Sequence, residues 1–258
     1  MQIAFNKYQG TGNDFIIIDN REGQFNPADT NLINKLCDRR FGIGADGLIL
    51  ISLHKQYDFE MKYFNSDGNV GSMCGNGGRC TADFAFRSGI AGRKQKFLAY
   101  DGPHEAEIDN GIIRLQMNDV TGIKKIKGNY FLNTGSPHYV CFVKNVSELD
   151  VFNEGKKIRW SDDFKPGGTN VNFVGLTDDG IFVRTFERGV EDETLSCGTG
   201  VTASAIASVL SGHFDSNVIN VRTPGGDLSV EMKAGDEKIT DIRLSGPATF
   251  VFEGKIEV

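Results

Sequence analysis

Two related strings constrain this chain more than anything else in it. Residues 73–80 read Met-Cys-Gly-Asn-Gly-Gly-Arg-Cys, and residues 196–203 read Ser-Cys-Gly-Thr-Gly-Val-Thr-Ala. Each sets a cysteine in the frame Cys-Gly-x-Gly directly ahead of a stretch with helical periodicity. The first stretch covers residues 81–88 and is stopped by Gly89; the second runs through Leu210 to Gly212. Cys74 and Cys197 stand 123 residues apart in a chain of 258, close to half its length. Repetition at that interval predicts two similar halves. The second helix carries Val201, Ala203, Ala205, Ile206, Ala207, Val209 and Leu210, apolar on nearly every side, which places it inside a core. Each half is therefore expected to wrap a sheet around a central helix with the cysteine at its N-terminus.

Most of the remaining sequence reads as short strands, at residues 3–8, 14–19, 48–53, 59–64, 112–117, 139–143, 181–187, 218–221, 228–232, 239–244 and 249–252. Ser66-Asp67-Gly68, Asp109-Asn110-Gly111 and Asp178-Asp179-Gly180 suit tight reversals between them. One further helix is expected over residues 30–40, with Leu32, Ile33, Leu36 and Cys37 on one stripe and Asp29 as N-cap. The class is thus α+β, in two pseudo-symmetric domains. The expected boundary near residues 119–127 gives halves of 1–119 and 120–246, with the last strand, about 247–258, free to return to the first half.

Composition excludes several classes. A charged fraction of 24% with a full set of large apolar residues excludes a disordered chain, and the 32 glycines follow no three-residue period. A net charge of -6 argues against nucleic acid, which needs a basic face. No apolar stretch approaches the roughly 18 residues of a membrane helix, and the polar, glycine-rich N-terminus is unlike a signal peptide. The five cysteines are odd in number and form no Cys-x-x-Cys pair, so neither a disulfide framework nor a metal site is expected, and a cytoplasmic setting is.

The chemistry follows from the helix ends. A helix N-terminus offers N–H groups without intrahelical partners and the positive end of a dipole, so a thiol there ionises more readily than usual. Neighbouring glycines let a carboxylate approach the same N–H groups. Two facing sites of this type, in a cleft between the domains, would hold one substrate carboxylate and set a sulfur on each side of its α-carbon. One thiolate would remove the α-proton and the opposite thiol would deliver another, inverting the stereocentre. A buried cysteine ahead of a helix can equally be a small packing residue. Two other classes stay open on the residues alone: a cysteine hydrolase with His138 as base, and a non-catalytic amino-acid binding protein.

An ordered set of further strings spans nearly the whole chain. It comprises Gly10-Thr11-Gly12-Asn13-Asp14-Phe15, Phe41-Gly42-Ile43-Gly44-Ala45-Asp46, Phe64-Asn65-Ser66-Asp67-Gly68, the first cysteine string, Pro137-His138, Asn170-Val171-Asn172, Glu187-Arg188-Gly189 and residues 193–200. With these the chain resembles the diaminopimelate epimerases, cofactor-independent isomerases of lysine and cell-wall biosynthesis. The related proline racemases share the fold but usually carry His where this chain has Asn76. The resemblance implies epimerisation of LL-diaminopimelate to the meso isomer without cofactor or metal, no membrane or nucleic-acid partner, and a homodimer. It implies Cys74 and Cys197 as the acid/base pair, and backbone N–H groups of Gly75, Asn76, Gly198 and Thr199 on the α-carboxylate. Asn13, Asn65, Asn172, Glu187 and Arg188 would bind the amino groups and the distal carboxylate, and His138 with Glu187 would tune the cysteines' protonation.

Two positions depart from the family's commoner pattern: Gly47 stands where many members have Gln, and Ser136 where many have Asn. Several of these residues also have plain structural readings. His138 could be a hydrogen-bonded core histidine, Asn13 and Asn65 turn formers, and Glu187 with Arg188 a surface pair. Cys37, Cys80 and Cys141 read as packing residues. Arg79, Asp83 and Arg87, spaced four apart, read as a charged, solvated helix face.

Overall fold

The computed structural model describes residues 2–235 and 238–258. In chain order the strands are β1 (Gln2–Gly10), β2 (Asn13–Asp19), β3 (Gly47–Ser52), β4 (Phe59–Asn65), β5 (Lys94–Ala99), β6 (Gly102–Asp109), β7 (Ile112–Gln116), β8 (Val120–Thr121) and β9 (Lys124–Ile126). They continue as β10 (Asn129–Asn133), β11 (Pro137–Phe142), β12 (Asn170–Leu176), β13 (Gly180–Glu187), β14 (Asp192–Thr194), β15 (Val218–Thr223), β16 (Gly226–Ala234), β17 (Lys238–Pro247) and β18 (Thr249–Glu257). The α-helices are α1 (Thr30–Cys37), α2 (Gly75–Arg87), α3 (Val151–Arg159) and α4 (Gly198–Leu210). The chain divides into two compact units, Met1–Leu115 with Gly246–Val258, and Gln116–Ser245.

The two units repeat one connectivity. In the first, β18 pairs antiparallel with β1 and β1 with β2; β2 lies parallel to β3, β3 antiparallel to β4, β4 parallel to β5, and β5, β6 and β7 run as an antiparallel meander. In the second, the same alternation runs β9, β10, β11, then β12 parallel to β11, β13 antiparallel, β15 parallel to β13, and β16 and β17 antiparallel. Parallel neighbours need a crossover. α1 and α2 supply the two crossovers of the first unit, and α3 and α4 those of the second.

In each unit the second crossover helix sits inside the sheet. α2 packs against β1, β2, β3, β4, β6 and β18, and Gly75 through Ala85 are all buried. α4 packs against β10, β11, β12, β13, β15 and β16, with Gly198 through Ser208 buried. The first crossover helix covers the other face. Ile33, Leu36 and Cys37 of α1 meet Ile16, Ile18, Leu48 and Leu50, while Val151 of α3 joins Tyr139, Cys141, Val171, Phe173 and Phe186. Strands covered on both faces explain why Phe15–Ile18 and Leu48–Ile51 are continuous apolar runs.

Hydroxyls inside α4 do not break the core, because Thr202, Ser204 and Ser208 each donate to the carbonyl four residues back at 2.8–3.0 Å. Close packing also explains particular glycines. A Cβ on Gly155 of α3 would lie 2.3 Å from the Phe186 side chain. α1 ends at Cys37 rather than residue 40, since Asp38 is extended and caps the helix with its N–H. The Asp29 cap forms as expected, accepting from the Leu32 N–H at 3.0 Å.

Arg79 and Asp83 correct the reading of a solvated helix face. Arg79 is 0% and Asp83 6% exposed, and only Arg87, at the end of α2, reaches solvent. The cause is tertiary: a helix enclosed by strands on every side has no solvated face to offer.

Candidate active site

Both motif cysteines are N-caps with extended backbones, Cys74 at φ -107°, ψ 118° and Cys197 at φ -119°, ψ 109°. The N-cap position follows from the glycines after each cysteine, which let the helix start within a crowded core. At Gly78 a Cβ would lie 2.5 Å from the Met73 side chain and 2.9 Å from that of Leu115.

In the first unit, Cys74 is half-buried and its Sγ accepts from the Gly77 N–H at 3.4 Å. The first-turn N–H groups of Gly75 and Asn76 have no intrahelical acceptor. The Cys74 Sγ also lies 3.5 Å from Asn13 Oδ1. That oxygen accepts from Asn76 Nδ2 at 3.3 Å, while Asn13 Nδ2 donates to Asp46 at 2.6 Å. Asp46 and Asp14 share the Arg39 guanidinium at 2.7 and 2.6 Å, and Lys7 donates to Asp14 at 2.6 Å and to the Gly44 carbonyl. Burial would raise the Asp14 carboxyl, but hydrogen bonds from Arg39 and Lys7 prevail and hold it at about 2. Asn65, at the exposed end of β4, lies beside the glycine turn that closes on its backbone N–H and C=O.

In the second unit the cysteine joins a different chain of contacts. The Cys197 Sγ is 3.4 Å from Thr199 Oγ1, and that hydroxyl is 2.9 Å from His138 Nε2. Ser136 Oγ stands 3.0 Å from the same nitrogen. On the other side of the ring, Asn172 Nδ2 donates to His138 Nδ1 at 3.0 Å and to the Tyr139 carbonyl at 3.4 Å, and Asn172 Oδ1 accepts from Thr185 at 3.0 Å. With Nδ1 an acceptor, the proton of a neutral ring sits on Nε2 and points at Thr199 and Ser136. His138 is fully buried, and burial foremost, with Arg188 nearby, lowers it to about 3. The ring is therefore neutral at pH 7 and donates, which is the wrong polarity for the general base of a cysteine hydrolase.

Glu187 ends β13 half-buried and accepts from Thr194 at 3.0 Å. Arg188 is exposed, and its backbone N–H donates to Asn170 Oδ1 at 2.8 Å. Asn170 Nδ2 donates to Ser136 Oγ at 3.0 Å, which ties Ser136 into the hydrogen-bond network around His138. At Gly47, a Cβ would lie 2.4 Å from the Tyr63 ring, which fills the space a longer residue would need.

Within the first unit the structure thus gathers Asn13, Cys74, Gly75 and Asn76, and within the second His138, Asn172, Cys197, Gly198 and Thr199. Sequence reasoning missed Thr11, Arg79, Asp46, Asn170 and Thr185. Four of the five lie inside the quoted strings, so membership of a string was the available signal; Thr185 had none. Cys37 and Cys141 lie in the apolar clusters, where burial pushes both thiols up to about 12. Among the described residues no group of three His, Cys, Asp or Glu could hold a metal ion, and no helix is long and apolar enough to cross a membrane.

Comparison with known proteins agrees with this geometry. The sequence model for diaminopimelate epimerase matches residues 5–129 and again residues 130–251, one match for each half. The diaminopimelate epimerase of Flavobacterium psychrophilum is 56% identical over 253 residues, covering 97% of this chain and 98% of the relative. That of Chlorobaculum tepidum is 44% identical over 256 residues, covering 96% and 98%. Two solved structures share the fold at low identity. A phenazine biosynthesis protein of the PhzF family from Bacillus anthracis has a TM-score of 0.80 at 15% identity over the full length of both chains. A hydroxyproline epimerase from Agrobacterium vitis has a TM-score of 0.75 at 11% identity, covering 99% of this chain and 92% of its own. A family match over both halves, and relatives this similar along their whole length, establish that the chain belongs to the diaminopimelate epimerase family of isomerases.

Proposed function

We propose that this chain converts LL-2,6-diaminopimelate to meso-diaminopimelate by two-cysteine acid/base chemistry, with no cofactor. The observation that carries the reading is the pair of cysteines, each at the N-cap position of the buried helix of an equivalent unit. The thiolate of one takes the α-hydrogen as a proton and becomes a thiol. The negative charge left behind spreads into the α-carboxylate, whose oxygens accept from the first-turn N–H groups of Gly75, Asn76, Gly198 and Thr199. The thiol of the other then gives its proton to the opposite face of the carbon. Each turnover exchanges the protonation states of the two sulfurs and leaves the total charge of the site unchanged.

Asn13, Asn65, Asn172, Glu187 and Arg188 bind the amino groups and the distal carboxylate in this reading. Arg188 supplies the bidentate grip, and Glu187 can pair with an ammonium. His138 acts on Cys197 through the Thr199 hydroxyl, and with Glu187 it sets which protonation state the sulfur holds. The product serves lysine and peptidoglycan precursor synthesis, which puts the protein in the cytoplasm, and its assembly is a homodimer. The test is to mix purified protein with LL-diaminopimelate alone and follow formation of the meso isomer by chiral chromatography. Absence of conversion removes the substrate assignment.

A further inference from the structure

Arg79 is the largest fully buried side chain among the described residues and stands outside the mechanism above. Its guanidinium donates to Asn76 Oδ1 at 3.1 Å, and to Thr11 Oγ1, the Gly75 carbonyl and the Pro247 carbonyl at 3.3 Å each. No ion pair involves it among the described residues. Asp83, one turn further along α2, is engaged by Arg87 at 2.7 Å and by Tyr8 of β1. The Cys80 thiol beside it is pushed up by burial and stays neutral. Asp46, which faces the site from the segment ahead of β3, is bound by Arg39 and reaches the site only through Asn13.

An unpaired, desolvated cation is costly, and a cation at a helix N-terminus opposes the helix dipole. A packing role would be filled more favourably by an apolar side chain. The arrangement becomes favourable when an anion arrives, and the anions of this site are the Cys74 thiolate and the substrate carboxylate. The hydrogen bonds give Arg79 a second effect. Because Asn76 Oδ1 accepts from Arg79, its Nδ2 must turn to Asn13 Oδ1, the oxygen facing the Cys74 sulfur.

We propose that Arg79 is a positioning residue of the first half-site: it orients the Asn76 and Asn13 carboxamides toward Cys74 and places an uncompensated positive charge beside the Cys74 string. This rests on Cys74 being an acid/base residue.

The experiment measures iodoacetamide alkylation of Cys74 against pH by peptide mapping, on the full-length protein without substrate, in the wild type, Arg79→Gln and Arg79→Lys, with kcat, KM and Tm for each. Arg79→Gln should raise the Cys74 alkylation midpoint by about one pH unit, the lower range for loss of a nearby opposite charge. Arg79→Lys keeps the charge but cannot reach four acceptors. Its midpoint should stay where it is while kcat falls about tenfold, less than the roughly 100-fold of a full 1 Å misplacement because the charge is kept. An unmoved midpoint in folded Arg79→Gln overturns the proposal, whatever the change in Tm. If the glutamine variant does not fold, Arg79→Lys decides: unchanged kcat, or a shifted midpoint, overturns it. Failure of the acid/base reading would show separately, as retained epimerisation in Cys74→Ser.

Discussion

Gly200→Ala, in the first turn of α4, tests whether the second half-site is held as rigidly as its contacts require. A Cβ at this position would lie 2.3 Å from Asn172 Oδ1, whereas ordinary contact begins at 3.4 Å, so the two atoms must separate by about 1.1 Å. Neither side can yield cheaply. Asn172 is held by Thr185, His138 and the Tyr139 carbonyl, and α4 is enclosed along its length. Overpacking a core costs about 1–3 kcal/mol, and a weakened buried hydrogen bond adds about 1 kcal/mol. A destabilisation of about 2–4 kcal/mol lowers Tm by roughly 5–15 °C in a protein of this size. Displacing Asn172 also moves the His138 ring and hence the Thr199 hydroxyl on Cys197, and a shift of about 1 Å in such a group costs about 100-fold in rate. The assay is thermal denaturation by circular dichroism together with initial rates of epimerisation. Gly92→Ala is the control, since nothing lies within 4 Å of its Cβ position, and it should leave Tm unchanged or raise it slightly. A Gly200→Ala protein with the wild-type Tm and rate would refute the claim that Asn172 and α4 form one rigid assembly.

Cys74→Ser and Cys197→Ser should each abolish epimerisation while the protein stays folded, because a serine hydroxyl is far too weak an acid to exchange the α-proton near neutral pH. Cys37→Ser or Cys141→Ser should change Tm more than rate, as both lie in apolar clusters. In deuterium oxide, starting from one stereoisomer, early product should carry deuterium while recovered substrate stays unlabelled; substantial protium in early product would rule out two separate bases. Stability should fall on acidification in two ranges, followed by urea denaturation at several pH values. Below 6.5 the unfolded chain gains a proton on His138 that the folded protein refuses until about 3, and below 3.8 the contribution of Asp14 is lost as pH falls toward its folded value of about 2. His138→Gln should flatten the upper range and Asp14→Asn the lower; unchanged slopes in both would show that neither group governs acid stability.

Much of this protein is legible in the sequence because its strongest signals are local. The Cys-Gly-x-Gly frame sets a helix start within a few residues, and the apolar content of α4 announces its burial without knowledge of any partner. Continuous runs such as Phe15–Ile18 report strands covered on two faces. Signals weaken where chain context decides the outcome. β5 alternates Gln95, Phe97 and Ala99 inward against exposed lysines, yet its charges mask the period of two. α3 carries a glycine and a charged run, and becomes a helix because Asp150 caps it and Gly155 lets it lie against Phe186.

The site divides along the same line. Which cysteines cap which helices follows from the sequence alone, since capping is a matter of neighbouring residues. Which way a carboxamide turns, and whether a charge meets water, depends on groups far along the chain. Arg79 stands next to Cys80 in every conformation, but only the surrounding strands strip it of solvent and bring Thr11 and the Pro247 carbonyl to it. His138 likewise becomes a neutral donor because burial strips it of charge and Asn172, on the neighbouring parallel strand, fills its Nδ1. Local structure rests on short-range sterics and hydrogen bonding, whereas protonation and amide orientation rest on burial and distant partners, which the folded chain alone supplies.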